Sequence, residues 1–274
     1  MRTELRRRLY RGNLYIFAIN DIDTIIYRNI LKDMKYEKIV KAKFIDRPNR
    51  FIAHVDLNGA IETVHVKNTG RCRELLLPGA NVVLEDCDNP ARKTRYDLVA
   101  VEKAGLGWVN IDSQAANKVV KEWLEKQDYA YIKPEYKFGG SRIDFYMERK
   151  VKAEFNNLSG EKSGMAERFL LEVKGCTLEI NGVGYFPDAP TERGVKHLRE
   201  LAAAVKDGYR CIVAFVIQMN GIDEVRPNVA THKEFGEAWQ EAADAGVEFW
   251  FLTCHVQEDG FVINADKYWS AADK

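Results

Sequence analysis

Arg142-Ile143-Asp144-Phe145 and, further along, Phe169-Leu170-Leu171-Glu172-Val173-Lys174 are the two stretches whose reading decides the fold. Both are apolar, strand-like runs interrupted by charge. Side chains on a strand alternate faces. Leu171 and Val173 therefore point one way, and Glu172 and Lys174 the other. Asp144, between Ile143 and Phe145, must face away from both neighbours. If the two strands pair, two carboxylates and an ammonium converge on one patch of sheet. Carboxylate oxygens suit a hard divalent cation, and a lysine beside it can steady an attacking water or a growing phosphate charge. That combination points to metal-assisted phosphodiester cleavage. The same spacing also fits a half-buried ion pair on a sheet.

Around this trio the second part of the chain, residues 105–274, mixes helices and strands. Residues 115–127 carry a helical stripe of Val119, Val120, Trp123 and Leu124. Strands are expected over 131–138, 142–148, 169–178 and 211–219. Thr191 is placed to cap a helix over 192–206 that stops at Asp207-Gly208. A helix over 233–245 and a strand over 247–252 follow. The apolar run 211–217, opened by a core Cys211, requires a sheet covered on both faces.

Residues 34–104 read as all-β. Residues 39–45 form a first strand, broken by Arg47-Pro48-Asn49. Residues 51–57 and 61–66 flank Asn58-Gly59, a strong hairpin signal. Leu75-Leu76-Leu77 runs into the turn Pro78-Gly79, and residues 82–84 and 96–101 add strands. Short strands at this density favour a small OB-type barrel over a sandwich. Arg47, Asn49, Arg50, Lys67, Asn68, Arg71 and Arg73 cluster there with Phe44 and Phe51. Cations interleaved with rings make a single-strand binding face, phosphates on the charges and bases on the rings; ordinary barrel packing with surface arginines fits as well. Residues 1–33 are basic and without clear period, either an extension upstream of a start at Met34 or an optional helix.

Net charge is zero, so no global field advertises a polyanionic partner. Its distribution is uneven: residues 1–50 hold 13 basic against 6 acidic residues, and residues 220–274 hold 4 against 11. Five scattered cysteines, with no Cys-x-x-Cys, argue against a disulfide framework or structural zinc and for a reducing compartment. No run reaches the length of a membrane span. Arg6-Arg7-Arg8 precedes a short apolar stretch that Asn20, Asp21 and Asp23 end, with no cleavage signal after it. A cytoplasmic protein with no membrane partner is expected.

The order helix, three strands, helix, strand, helix, strand, with an acid on the second strand and Glu-x-Lys on the third, resembles the PD-(D/E)xK nuclease core. The whole chain resembles the sugar fermentation stimulation protein A family. Arg47-Pro48-Asn49-Arg50-Phe51, His65-Val66-Lys67-Asn68-Thr69-Gly70-Arg71, Pro90-Ala91-Arg92-Lys93-Thr94 and Ser141-Arg142-Ile143-Asp144-Phe145 carry it, with Glu172-Val173-Lys174. The longest match is Phe186-Pro187-Asp188-Ala189-Pro190-Thr191-Glu192-Arg193-Gly194-Val195-Lys196-His197-Leu198. The resemblance implies an α+β two-domain fold, an OB-like barrel placed at 34–104 and a nuclease-like mixed sheet flanked by helices at 105–274, with the extension at 1–33 outside it. It also implies sequence-non-specific DNA binding. Asp144 and Glu172 would hold Mg2+ or Mn2+, with Lys174 completing the catalytic set. Arg193 and His197, four apart on one helical face, would hold a phosphate near the helix N-terminus. Glu122 and Glu135 are weaker additional acids, while His54 and His65 read as structural. The alternative is a DNA-binding regulator of sugar metabolism whose nuclease-like core is a scaffold without turnover.

Overall fold

The computed structural model describes residues 34–150 and 166–269; the extension expected at residues 1–33 lies outside them. Six strands come first: β1 (Ile39–Asn49), β2 (Ile52–Leu57), β3 (Ala60–Val66), β4 (Asn81–Asp86), β5 (Tyr96–Lys103) and β6 (Gly107–Asn110). Their order is β3-β2-β1-β4-β5-β6, and a parallel pairing of β3 with β5 closes the first five into an OB barrel. Asn58 (φ 55) and Gly59 (φ 87) make the two-residue turn between β2 and β3. Both sit in the left-handed region that this hairpin requires. Phe44, Val55, Val64, Leu84 and Leu98 fill the interior.

Two expectations need correction here. β1 does not break at Arg47-Pro48-Asn49 but runs through it, with its register to β2 slipping after Phe44 and again after Asp46. An irregular ladder of this kind tolerates a proline. Second, β6 was expected to open the second domain; it is the sixth strand of the barrel sheet, antiparallel to β5.

The rest is a six-stranded mixed sheet with three helices and a small side sheet. α1 (Ser113–Leu124) precedes β7 (Tyr131–Phe138), β8 (Ser141–Arg149) and β9 (Glu167–Cys176). β10 (Leu178–Ile180), β11 (Val183–Phe186), α2 (Glu192–Lys206), β12 (Arg210–Ile217), β13 (Val225–Pro227), α3 (Lys233–Asp244), β14 (Glu248–Gln257) and β15 (Gly260–Trp269) follow. The sheet order is β15-β14-β12-β9-β8-β7, with β9, β12 and β14 parallel at its centre. The side sheet, β10-β11-β13, and the edge strand β15 were not anticipated.

Local chemistry sets the helix ends. Asp112 caps α1 by accepting the N–H groups of Gln114 (2.9 Å) and Ala115 (3.3 Å). Thr191 Oγ1 caps α2 by accepting the Gly194 N–H at 3.0 Å, and α2 ends before Gly208, whose φ is 80. β12 explains the coverage of the sheet: Cys211, Val213, Phe215 and Ile217 pack with Val195 of α2 and Phe235 of α3. Ile212, Ala214 and Val216 pack on the other face with Val119 and Val120 of α1. Burying each large side chain of this kind stabilises the fold by about 1.5–3 kcal/mol.

A polar seam fastens the barrel to the sheet. Gln218, just past β12, donates from Nε2 to Asn110 Oδ1 (2.8 Å) and to the Asp112 carbonyl (3.1 Å). Asn110 in turn donates from its backbone to the Gln218 carbonyl (3.0 Å) and from Nδ2 to Tyr36 Oη (2.9 Å). All four residues are buried, and buried polar groups of this kind hold their partners in one register.

Candidate active site

β8 and β9 pair antiparallel from Arg149 with Glu167 to Phe145 with Leu171, and there the ladder stops. One step on, the register would set Asp144 against Glu172. Instead the Asp144 carboxylate reaches over the splayed strands. Its Oδ2 accepts the Val173 N–H at 2.7 Å, and its Oδ1 accepts Asn117 Nδ2, from α1, at 2.8 Å. Along β9 the expected alternation holds: Leu171 and Val173 pack with α1, whereas Glu172 meets His197 of α2.

Glu172 is 3% exposed and its two oxygens differ. Oε1 takes both Lys174 Nζ, at 2.6 Å, and His197 Nδ1. Oε2 is buried with no hydrogen-bond partner. His197, equally buried, places its Nε2 3.4 Å from Arg193 Nε, which donates to it. His197 was expected to hold phosphate together with Arg193; the structure buries it against Glu172 and leaves Arg193 exposed at the wall.

The two acids are tuned apart. Burial, reinforced by the charge of Glu172, pushes the Asp144 carboxyl up to about 6 despite the Val173 N–H, Lys174 and Asn117. Burial also works against an ionised Glu172, but Lys174 and His197 outweigh it and hold that carboxyl below its usual range. Paired acids pushed apart in this way are a mark of functional sites.

These groups form the floor of a cleft of about 1110 Å³ between the barrel and the sheet. Its barrel wall is the loop after β3, and here the sequence reading is sorted into two groups. Arg47 donates from its guanidinium to the carbonyls of Arg50, Asn68, Gly70 and Arg71. Asn49 Oδ1 accepts the N–H groups of Phe51 and Ile52. Asn68 binds the Ile111 carbonyl through Nδ2 and the Gly70 N–H through Oδ1. Lys67 is pulled inward between Asp97 (3.0 Å) and Asp112 (3.1 Å). Those four shape the loop, and the hydrogen bonds and ion pairs they make go to protein partners. Phe44 is likewise buried in the barrel and offers no ring to a base. Arg50, Arg71 and Arg73 are exposed, line the cleft and form no ion pair among the described residues. Phe51 is 52% exposed, with the Arg50 guanidinium 6.0 Å from its ring centre.

His54 and His65 face Asp46 (2.7 Å) and Asp97 (3.2 Å). Glu135 (φ 54) is exposed, pairs with Arg142 at 3.4 Å and borders a side hollow that reaches Asp144. Glu122 does not line the cleft; of α1, Ser113 and Asn117 do, and Asn117 reaches Asp144. Sequence reasoning missed Asn117, Gln218 and Asp188, whose Oδ2 accepts the Cys72 N–H at 2.6 Å and so ties the barrel loop to the far wall. Nothing local marks Asn117 or Gln218, and Asp188, though inside the longest family match, acts on Cys72, which is distant in sequence.

The donor set fits a hard divalent cation: carboxylate oxygens from Asp144 and Glu172, one of them buried and unpartnered, with no sulfur nearby to favour a softer metal.

Comparison with known proteins gives a consistent result. A family model described as the SfsA N-terminal OB domain matches residues 45–111, and one described as the sugar fermentation stimulation protein RE domain matches residues 114–260. A sugar fermentation stimulation protein homolog of Clostridium beijerinckii is 51% identical over 234 residues, covering 84% of this chain and 96% of that one. One from Desulfitobacterium hafniense (strain DSM 10664 / DCB-2) is 50% identical over 229 residues, covering 82% and 93%. Among solved structures, Pyrococcus furiosus SfsA in complex with Ca2+ superposes with a TM-score of 0.69 at 27% identity, covering 86% of this chain and 96% of that one.

Proposed function

The chain belongs to the sugar fermentation stimulation protein (SfsA) family, and from that premise we propose that it binds DNA without sequence specificity and carries a divalent-metal-dependent phosphodiesterase site. The observation that carries this reading is the buried, unpartnered Oε2 of Glu172 beside Asp144, on the floor of a cleft walled by unpaired arginines. The Ca2+ held by the Pyrococcus furiosus relative supports a divalent cation on this fold. Mg2+ or Mn2+ is the cation proposed here.

Asp144 and Glu172 would hold the ion, which supplies an acidified water and draws charge from the phosphate. The remaining steps belong to the chain. Lys174 and His197 fix Glu172 through Oε1 and so leave Oε2 for the cation. Lys174, 14% exposed in its side chain, is the cation best placed to meet charge developing on the phosphate. Arg50, Arg71, Arg73 and Arg193 take flanking phosphates, and Phe51, exposed beside Arg50 outside the cleft lining, offers a ring to a base. A cytoplasmic location suits the five unpaired cysteines; no helix among the described residues is long and apolar enough to cross a membrane.

The test is cleavage of labelled single-stranded DNA, duplex DNA and RNA with Mg2+, Mn2+ or EDTA. Cutting that EDTA, Asp144→Asn and Lys174→Met each abolish is the expected result. Binding without cutting under every condition would leave a DNA-binding regulator on a non-catalytic nuclease frame.

A further inference from the structure

We propose that the site is a through-passage: a strand enters beside the barrel, crosses the carboxylates and leaves along a groove between the β7–β8 turn and α2. Cleavage is then internal to the strand and needs no end. This rests on the phosphodiesterase reading above.

Three adjoining hollows carry the argument. The barrel-side cleft and a hollow of about 660 Å³ share Ser113, Asn117, Asp144 and Arg193. That hollow shares Arg142 and Arg193 with a groove of about 480 Å³ that also touches Ser141 and Lys196. Asp144 therefore stands partway along a path rather than at a blind end. An enzyme that works from strand ends needs a wall beyond the scissile phosphate, and here the far side is open.

The far side also carries cations that can meet a phosphate. Arg142, Arg193 and Lys196 line it. The acids beside it are Glu135, 3.4 Å from Arg142, Glu200, 3.6 Å from Lys196 with its Oε2 buried and unpartnered, and Glu192, 82% exposed and 3.4 Å from His232. Arg142 and Lys196 are 68% and 58% exposed, and ion pairs this open hold weakly, so an arriving phosphate can replace them. Arg50, Arg71 and Arg73 serve the entry side in the same way.

Two experiments on the full chain test the passage. With Mn2+, wild-type protein should cut covalently closed circular single-stranded DNA about as fast as the linear form of the same sequence. A linear strand degraded while the circle stays intact overturns the passage and leaves the phosphodiesterase reading standing. Neither being cut overturns both. Separately, metal-free binding of a long single strand by the double variant Arg142→Gln/Lys196→Gln should show a salt slope shallower by about 1.4, about 0.7 for each lost phosphate contact. A slope equal to wild type overturns the exit groove.

Discussion

Asp144, half-buried, and Glu172, buried, are the same chemistry, yet their surroundings give them opposite pH behaviour. The folded-state value of Asp144, about 6, lies above its ordinary 3.8, so the fold holds this proton more tightly than the unfolded chain does. Its stabilisation is full below about pH 4 and is lost as pH rises through 6, at most about 3 kcal/mol. Glu172, held low, contributes with the opposite sign: its share is present above the ordinary carboxylate value and is lost in acid. Asp144→Asn mimics the protonated group. Metal-free melts should therefore show the variant gaining on wild type between pH 5 and pH 7.5; a constant gap would contradict the assignment. His197 offers a second residue-scale test. Its Nδ1 aims Glu172, so His197→Ala should weaken Mn2+ binding by calorimetry about 10- to 100-fold, and His197→Asn, which can keep a donor there, should recover part of it. The trio itself was legible because strand alternation is local. The role of His197 was not, since helix spacing gives a face but not what lies over it.

Among elements, the loop after β3 separates residues that shape it from residues that face the cleft. Arg47 spends its guanidinium on four carbonyls, and Arg71 presents its own to the cleft. Arg47→Ala should lower the melting temperature, whereas Arg71→Ala should leave it unchanged and flatten the salt slope of single-strand binding by about 0.7. From sequence the two arginines look alike. β9 shows a similar hidden constraint: a Cβ on Gly175 would lie 2.3 Å from Gln218 Oε1, at the seam that joins barrel to sheet. Gly175→Ala should shift the denaturant midpoint by an amount worth about 1–3 kcal/mol. The hairpin at Asn58-Gly59 and the cap at Thr191 could be read directly, because turn and cap chemistry sit within four residues. β6 and β15 could not, since their places depend on partners that local sequence does not name.

On the scale of the molecule, barrel and sheet share one apolar cluster: Phe44 and Leu98 of the barrel belong to the same core as Val195, Phe215 and Phe235. Thermal unfolding followed by far-ultraviolet circular dichroism and by tryptophan fluorescence should give one coincident transition. Two separated transitions would mean that the shared core does not couple the halves. The exposed edge at β7 has a further effect. Its strand carries Lys133, Pro134 and Lys137, with Glu135 bent into the left-handed region. Proline has no N–H to lend, the bend breaks the straight line of backbone groups, and lysines repel a like copy. A second molecule therefore finds no flat border on which to add its own strand. The edge is blunted at the same turn of chain that borders the hollow beside Asp144, so substitutions that straighten β7 put colloidal behaviour and the proposed chemistry at risk together.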